Sequence, residues 1–368
     1  MKSERAGNRG LARGRTALGG RARGCTRLAL LALAASLLPA ATTAADGNDD
    51  VSDNGKHCSA TARATFRACG LTAHADELIE RARCFNVSDA AERASCLAEA
   101  DQAEKEARQL CREQNDARSE ICAALGEARY EPDFDPDLFD PDFVHPTNPN
   151  PFFPLGIGNR WTYRGGNQSI AIEVLNRTKR IDGVTCVTVN DKVSEGGVVI
   201  EDTDDWFAQA LNGDVQYCGE QTKEYETFAG DRPRLPELVN IDGSFKAGRE
   251  GDLSGVIFQG SPIPGQVYRQ EFSIANAEDV AQVVSTSYAF GKDRDLDTLV
   301  PRRLAELLCS AGDCIVTLEF TPLDPGSVER KYYARGIGFF LETVPETGEV
   351  LQLIHCNFDS RCAALPAP

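Results

Sequence analysis

The chain has 368 residues, enough for two domains, and 42% of them are hydrophobic. Acidic residues outnumber basic ones, 56 Asp and Glu against 39 Lys and Arg, and the formal net charge is −17. So negative a charge argues against nucleic acid and against anionic membrane surfaces as partners.

Residues 1–45 have the pattern of a signal peptide. A region with eight basic residues precedes an apolar core of leucine and alanine at residues 28–38, and small residues follow up to Ala45. The core is shorter than the roughly 20 residues that a membrane-spanning helix needs, which favours cleavage near Ala45 over a retained anchor. Loss of eight basic residues and one acidic residue would take the net charge from −17 to −24. We predict a secreted or periplasmic protein with no transmembrane anchor after cleavage.

The next stretch contains six cysteines with symmetric spacing. Residues 46–56 form a polar, acidic lead-in that we expect to be disordered. Within residues 57–130 the cysteines stand 11, 15, 12, 15 and 11 residues apart, and the centre of symmetry is Ala90. At about 100° per residue, such steps keep the three cysteines of each half on one helix face. The pattern predicts an antiparallel helical hairpin with three nested disulfides: Cys58–Cys122, Cys69–Cys111 and Cys84–Cys96.

The predicted hairpin has little else to hold it together. Its second arm is rich in strong helix formers, and Ser88 offers N-cap chemistry at its start. The few large apolar residues are expected to face one another across the arms, with Leu97, Leu110, Ile121 and Leu125 opposite Phe66, Leu71, Leu78 and Ile79. Cross-links of about 2–4 kcal/mol each would offset that small core. A hairpin of this kind is typical of a spacer or docking surface.

An acidic, proline-rich linker follows at residues 131–149, where the prolines exclude a helix. Asp133, Asp135 and Asp137 alternate like the first ligands of a calcium loop. Leu138 and Val144 stand where that loop needs Gly and Glu. The pattern therefore favours an extended linker, and we predict neither a metal site nor a cofactor.

Residues 150–368 have the pattern of an antiparallel β domain. About ten segments of alternating apolar and polar residues are separated by turns, and Asn212-Gly213 is a strong hairpin signal. Residues 230–265 read as a long irregular connection, and residues 299–309 as a short helix or a strand. The fold class is α+β, with the helical hairpin before a β domain that is a barrel, a half-barrel or a sandwich.

Six more cysteines lie in the β domain, and an even number in an exported protein predicts disulfides more strongly than a metal site. Four of them are close enough in sequence to close local loops, as Cys309–Cys314 and Cys356–Cys362. The remaining two are then expected to bridge neighbouring strands, as Cys186–Cys218.

No catalytic residue is predicted. Only one histidine, His355, lies in the β domain, and it precedes Cys356. Adjacent residues of a strand point to opposite faces, and a disulfide would consume the thiol, so a Cys/His nucleophile is disfavoured. The chain has no G-x-S-x-G, H-E-x-x-H or glycine-rich phosphate motif.

Two groups of acidic residues and five aromatic residues are further candidates for a functional site. The acidic groups are taken as solvated turns: Asp202, Asp204 and Asp205, and Asp293, Asp295 and Asp297. The aromatic residues are able to line a cavity, although core packing is favoured: Trp161, Trp206, Phe207, Tyr225 and Phe228.

Several runs occur in one order across about residues 148–345: NPFFPLGIGNRWTY at 150–163, DWFAQ at 205–209, TPLDPG at 321–326 and KYYARGIG at 331–338. On these runs the β portion resembles an uncharacterised family of exported bacterial β-domain proteins. The resemblance implies a periplasmic or secreted β domain of unassigned function and brings no catalytic residues with it. The cysteine hairpin lies outside the matching region.

Three functions are consistent with the sequence. The first is a non-enzymatic binding or structural module of the cell envelope, with an unknown protein or an apolar small molecule as its partner. A more specific version of this function is a carrier that holds an apolar small molecule or lipid in a cavity of the β domain, with residues 230–265 as a lid. The alternative from another class is a hydrolase in which two carboxylates face each other across a cleft.

Overall fold

The computed structural model describes residues 55–368 as two long helices followed by a large antiparallel sheet. The α+β class predicted from the sequence is confirmed. The predicted signal peptide at residues 1–45 and the lead-in up to residue 54 lie outside the described residues. No helix between residues 55 and 368 is both long enough and apolar enough to cross a membrane.

The two helices form the predicted hairpin. Helix α1 spans His57–Cys84 and helix α2 spans Ala90–Leu125. Their Cα atoms stand 5.6, 5.8 and 5.5 Å apart at the three disulfides, in the nested order that the spacing predicts: Cys58–Cys122, Cys69–Cys111 and Cys84–Cys96. Asp89, one residue after the predicted Ser88, caps α2 with its side chain.

Apart from cysteines and Ile121, the buried apolar residues of the hairpin are all alanines: Ala60, Ala62, Ala73, Ala100 and Ala107. The expectation that larger residues face α2 is wrong for three of them, since Leu71, Leu78 and Ile79 are 72, 53 and 50% exposed. Disulfides require Cα atoms within about 7 Å of each other, and that distance leaves no room for a leucine between the helices.

After the hairpin, the described chain contains sixteen strands, one short α-helix and two 3-10 helices, Pro136–Leu138 and Ser360–Ala364. The strands are β1 Phe139–Asp140, β2 Arg160–Gly165, β3 Gln168–Ile181, β4 Val184–Glu195, β5 Val198–Ala210, β6 Val215–Gln221, β7 Glu224–Glu226, β8 Glu237–Asn240, β9 Phe245–Lys246, β10 Gly255–Phe258, β11 Val267–Arg269, β12 Val280–Tyr288, β13 Cys314–Phe320, β14 Val328–Ala334, β15 Gly338–Val344 and β16 Glu349–Cys356. Helix α3, Arg302–Leu308, settles the choice that the sequence left open for residues 299–309. The connection predicted as irregular contains β8, β9 and β10.

The sheet curls but is not closed. Its main path runs β10-β6-β5-β4-β3-β2-β16-β15-β14-β13-β12-β11, with every ladder antiparallel. The end strands β10 and β11 share no ladder, yet they approach each other. An isolated bridge joins Leu253 to Phe272, and the Gln270 side chain donates to the Ile257 carbonyl at 3.2 Å. We call this junction between β10 and β11 the seam.

Three disulfides cross-link the β domain, and the pairs are those predicted: Cys186–Cys218, Cys309–Cys314 and Cys356–Cys362. One detail differs from the prediction. Cys186 on β4 and Cys218 on β6 are not on neighbouring strands, because β5 lies between them. A register shift between Trp206 and Phe207 disturbs the β5–β6 ladder beside Cys218, and the Cα atoms of the two cysteines are 6.7 Å apart.

The hairpin docks on the sheet beside the seam. Arg118 on α2 forms an ion pair with Glu278, which precedes β12. Gln114 donates to the Leu323 carbonyl at 2.9 Å, and the Tyr130 hydroxyl donates to the Ser254 carbonyl at 2.8 Å. These contacts place the open end of the hairpin against the two edges that the sheet leaves unpaired.

Candidate functional site

The concave face of the sheet lines a partly open cavity of about 230 Å³. Alternate residues of a strand share a face, and one such set on β3 and β4 lines the cavity: Ile170, Ile172, Val174, Val189 and Val193. Across from them lie residues of β13 to β16 and of the loop after β11. The strands therefore supply an apolar wall around most of the space.

Two aromatic residues on β2 belong to that wall. The Trp161 Nε1–H donates to the Ile337 carbonyl at 2.8 Å, and the Tyr163 hydroxyl donates to the Phe339 carbonyl at 3.0 Å. Burial raises the pKa of Tyr163 well above its ordinary value, and the charge of Asp191 raises it further. Because backbone carbonyls satisfy both polar tips, the rings act as apolar surface.

The polar part of the lining is strongly acidic. It contains eight acidic residues: Asp191, Glu201, Asp205, Glu271, Asp279, Glu319, Glu329 and Glu342. Lys331 is the single basic residue among the residues between 55 and 368 that line the cavity. An interior of this charge favours a cation or a proton over an anion.

Tyr217 stands at the centre of one acidic group. Its hydroxyl donates to Asp205 Oδ1 in a short hydrogen bond and lies 3.0 Å from Glu220 Oε2. A phenol has one proton to donate, so both contacts are hydrogen bonds only when one carboxyl group is itself protonated. Burial raises the pKa of Tyr217 well above its ordinary value, as do the charges of Asp205, Glu220 and Glu271. The phenol therefore stays neutral.

Lys331 organises the opposite acidic group. Its Nζ atom lies 2.7 Å from Glu319, 3.4 Å from Glu329 and 3.8 Å from Glu342. Burial alone would raise the pKa of Glu319, but the Lys331 ammonium and hydroxyl donors that include Tyr333 at 3.0 Å together outweigh burial. The net pKa of Glu319 is lowered, so this carboxylate is charged and already neutralised by a neighbour.

The structure corrects one interpretation of the acidic residues. Asp202, Asp204 and Asp205 were taken as a solvated turn, but all three lie within β5, and Asp205 is 5% exposed and lines the cavity. Asp204, next in the strand, points to the other side and pairs with Arg177 at 2.7 Å. The period-two alternation of a strand separates the two, and the sequence does not mark which faces inward. Asp293 and Asp295 do lie exposed in a loop.

The five aromatic candidates divide between two faces. Trp161 and Phe207 line the cavity, whereas Trp206 lies on the opposite face with Lys179 at 3.8 Å and Lys246 at 4.7 Å from its ring. The two others, Tyr225 and Phe228, are not among the lining residues. From residues 230–265, only Ile257 reaches the cavity, so the wall opposite β3 comes mainly from other segments.

His355 and Cys356 are placed as the strand rule predicts. His355 is exposed, and Cys356 is buried in its disulfide with Cys362. The pair therefore offers no nucleophile.

One group of potential metal ligands occurs in the described part of the chain, and the sequence did not single it out. His74, Glu77 and Glu104 bring their ligand atoms within 4.8 Å of one another on the hairpin. Arg81 lies 3.2 Å from Glu77 and Arg108 lies 2.9 Å from Glu104, so the carboxylates already have cationic partners. The alternating aspartates of the linker form no such group within residues 55–368.

Compared with family models, curated proteins and solved structures, the chain gives no match. The resemblance to exported bacterial β-domain proteins stays a prediction. Fold and site together define a class: a disulfide-linked helical hairpin docked on an open antiparallel sheet that lines a partly open, acidic cavity with apolar walls. Its six disulfides fit an oxidising extracellular compartment.

Proposed function

We propose that this protein is a secreted or periplasmic, non-enzymatic binding protein that holds a small apolar molecule carrying a positive charge. The observation behind the proposal is the cavity of about 230 Å³, whose walls are aromatic and aliphatic and whose polar lining has eight carboxylates against one ammonium. Ligand sites are typically apolar clefts with a few placed polar groups, and the cavity has that composition.

The size of the cavity limits the ligand. A protein cavity of about 150 Å³ accommodates benzene, so 230 Å³ has room for about nine non-hydrogen atoms. Sites for drug-sized molecules start at about 300 Å³. One aromatic ring with a short aminoalkyl arm fits this range, and a whole lipid does not.

The charge of the lining decides between an amine and an acid. Charges attract more strongly in a low-dielectric interior than in water, and Asp191 stands on β4 between the apolar Val189 and Val193. The faces of Trp161 and Phe207 also attract a cation through their ring quadrupoles. An ammonium group therefore gains from two features of the wall, whereas a carboxylate would be repelled.

Calorimetric titration with three isosteric probes tests the proposal at neutral pH: phenethylamine, phenethyl alcohol and hydrocinnamate. We expect the amine to bind most tightly and the acid least. If none of the three binds, the cavity is not a site for ligands of this size. If the acid binds as well as the amine, the charge assignment is wrong.

Two neighbouring residues provide a matched pair of variants. Asp205→Asn removes a carboxylate from the lining and should weaken the amine about tenfold or more, the equivalent of about 1.4 kcal/mol. Asp204→Asn, on the outer face of the same strand, should leave binding unchanged. Urea unfolding of both variants checks that the fold is intact. A mass excess seen only in the native mass spectrum of the protein from its own host would be a retained ligand.

A hydrolase with a carboxylate pair is the second candidate. Asp205 and Glu220 both approach the Tyr217 hydroxyl, so their oxygens lie within two hydrogen-bond lengths of each other. An acid/base pair must reach the substrate with both members, whereas Asp205 lines the cavity and Glu220, 1% exposed, does not. We therefore rank binding first. Release of nitrophenol from a panel of nitrophenyl glycosides and esters, abolished by Glu220→Gln, would reverse that order.

A further inference from the structure

A second cavity lies outside the concave face, where the open end of the hairpin meets the seam. Its volume is about 630 Å³, within the range of about 300–1,000 Å³ that is usual for sites of drug-sized ligands. Ile121 and Leu125 of α2 form one wall, and Val256 of β10 and Val267 of β11 form the other. The two edge strands and the hairpin build the site jointly.

Arg269 at the end of β11 is the unusual residue of this cavity. Its side chain is mostly buried, with its guanidinium 5.1 Å from the Phe272 ring and 5.8 Å from the Tyr130 ring. Within the described part of the chain, its side chain makes one hydrogen bond, to Cys58 Sγ at 3.7 Å. Among residues 55–368, no carboxylate forms a salt bridge with it. Guanidinium has five donors and stays charged, so most of its binding capacity is unused.

The neighbouring arginine shows the contrast. Arg118 lines the same cavity, and Glu278 neutralises it through two hydrogen bonds of 2.9 and 2.7 Å. Glu278 also attracts Arg269 electrostatically, but both of its oxygens are bonded to Arg118, so no carboxylate of the described residues is in hydrogen-bond contact with the Arg269 guanidinium. Burying a charge that no carboxylate contacts directly is costly, and a ligand carboxylate bonded to the guanidinium reduces that cost.

We propose that this cavity binds a carboxylate-bearing amphiphile, with the carboxylate on the Arg269 guanidinium and the hydrocarbon chain between the hairpin and the seam. A planar carboxylate matches the fork of a guanidinium with two parallel hydrogen bonds. Phe272 and Tyr130 hold the guanidinium in place through their ring faces. The apolar walls on α2, β10 and β11 then take the chain.

Calorimetric titration of the oxidised, full-length mature protein with dodecanoate tests the site, with dodecanol and dodecylammonium as isosteres. Dodecanoate should bind with one molecule per chain, and each isostere at least about tenfold more weakly, because only the carboxylate forms charge-assisted hydrogen bonds with the guanidinium. Equal binding of dodecanol, or no binding of dodecanoate, would overturn the proposal.

Three substitutions locate the site. Arg269→Gln should weaken dodecanoate about tenfold or more. Arg302→Gln, a control arginine 5.9 Å from the ring of Phe290, should not. Val267 shares a face of β11 with Arg269, so Val267→Asp supplies an internal carboxylate and should block dodecanoate, while Val267→Asn should not.

The outcomes remain distinct if a variant is unstable. If Arg269→Gln fails to fold, the Val267→Asp and Val267→Asn pair, which keeps Arg269, decides the question. Unchanged binding in both Arg269→Gln and Val267→Asp would show that dodecanoate lies elsewhere. Asp205→Asn should have no effect on dodecanoate, so this test stands or falls separately from the amine site in the concave cavity.

Discussion

Arg118 on α2 and Glu278 ahead of β12 form a two-point ion pair across the junction of hairpin and sheet. The Arg118 Nε atom donates to Glu278 Oε2 at 2.9 Å and the Nη2 atom to Oε1 at 2.7 Å, with the side chains 6% and 3% exposed. Glu278 Oε1 also accepts the Ala275 N–H at 2.7 Å. One carboxylate thus fixes both the hairpin and the loop before β12.

Removing the arginine should be costly. Arg118→Leu leaves the buried carboxylate of Glu278 without its guanidinium, and we expect the free energy of unfolding to fall by about 3–5 kcal/mol. Adding Glu278→Gln removes the stranded charge and keeps the acceptor for Ala275, so the double variant should recover part of the loss. Urea unfolding measures both. Arg302→Leu, from the exposed pair with Glu306, is the control and should change stability by less than about 1 kcal/mol.

The nested disulfides should contribute almost equally, although Cys58–Cys122 spans 64 residues and Cys84–Cys96 spans 12. With Cys69–Cys111 intact, the outer bridge closes only the two 11-residue segments beyond it, so each of these loops is short. The loop-closure relation gives about 3 kcal/mol for either one. Replacing each pair by alanine and measuring urea unfolding checks this. If the outer pair costs about 1.5 kcal/mol more than the inner one, the bridges act as independent loops.

The hairpin was predictable because its disulfides leave a trace in the spacing of the cysteines. Most of the strands were predictable for a similar reason, because the alternation of apolar and polar residues along a strand is visible in a short stretch of sequence. The cavity is different. It combines Asp205 and Lys331, which are far apart in the chain, and strand register decides which side chains face inward.

A weak signal for the cavity was present. Val187, Val189, Asp191 and Val193 alternate along β4, so an acid stands in a series of apolar positions that share one face. An acidic residue at such a position is a candidate for a buried site. For Arg269 no comparable signal exists, because β11 is three residues long and its surroundings come from the hairpin.

The change in the stability of the fold with pH should depend on Lys331. Lys331 lowers the pKa of Glu319 below 4.5, so the pair stabilises the fold above that pH and loses its effect as pH falls through the folded pKa. In Lys331→Met, the hydroxyl donors alone oppose burial, and the pKa of Glu319 should rise. The loss of stability caused by Lys331→Met should then be largest near neutral pH and smaller at about pH 4.

Urea unfolding of the wild type and Lys331→Met at several pH values measures that difference. Lys192→Met, from the more exposed pair with Asp202 at 3.4 Å, is the control and should show little pH dependence. A penalty for Lys331→Met that is the same at neutral and acidic pH would contradict the assigned ion pair.

The seam depends on a glycine. A Cβ atom at Gly255 on β10 would overlap the carbonyl of Gln270, which follows β11. Gly255→Ala should therefore force the two edges apart and destabilise the fold by about 1–3 kcal/mol. Hydrogen exchange should increase at the Leu253 N–H, which donates to the Phe272 carbonyl at 3.0 Å. Gly230→Ala, with open space around its Cβ, is the control and should have no such effect.

The thin contact between α1 and α2 makes the hairpin sensitive to redox conditions. With alanines as its main buried side chains, the pair of helices has little hydrophobic energy to keep it together once the three bridges are reduced. Reduction would then release the wall that Ile121 and Leu125 supply to the junction cavity. The proposed carboxylate site should therefore depend on the oxidation state of the six sulfur atoms of the hairpin.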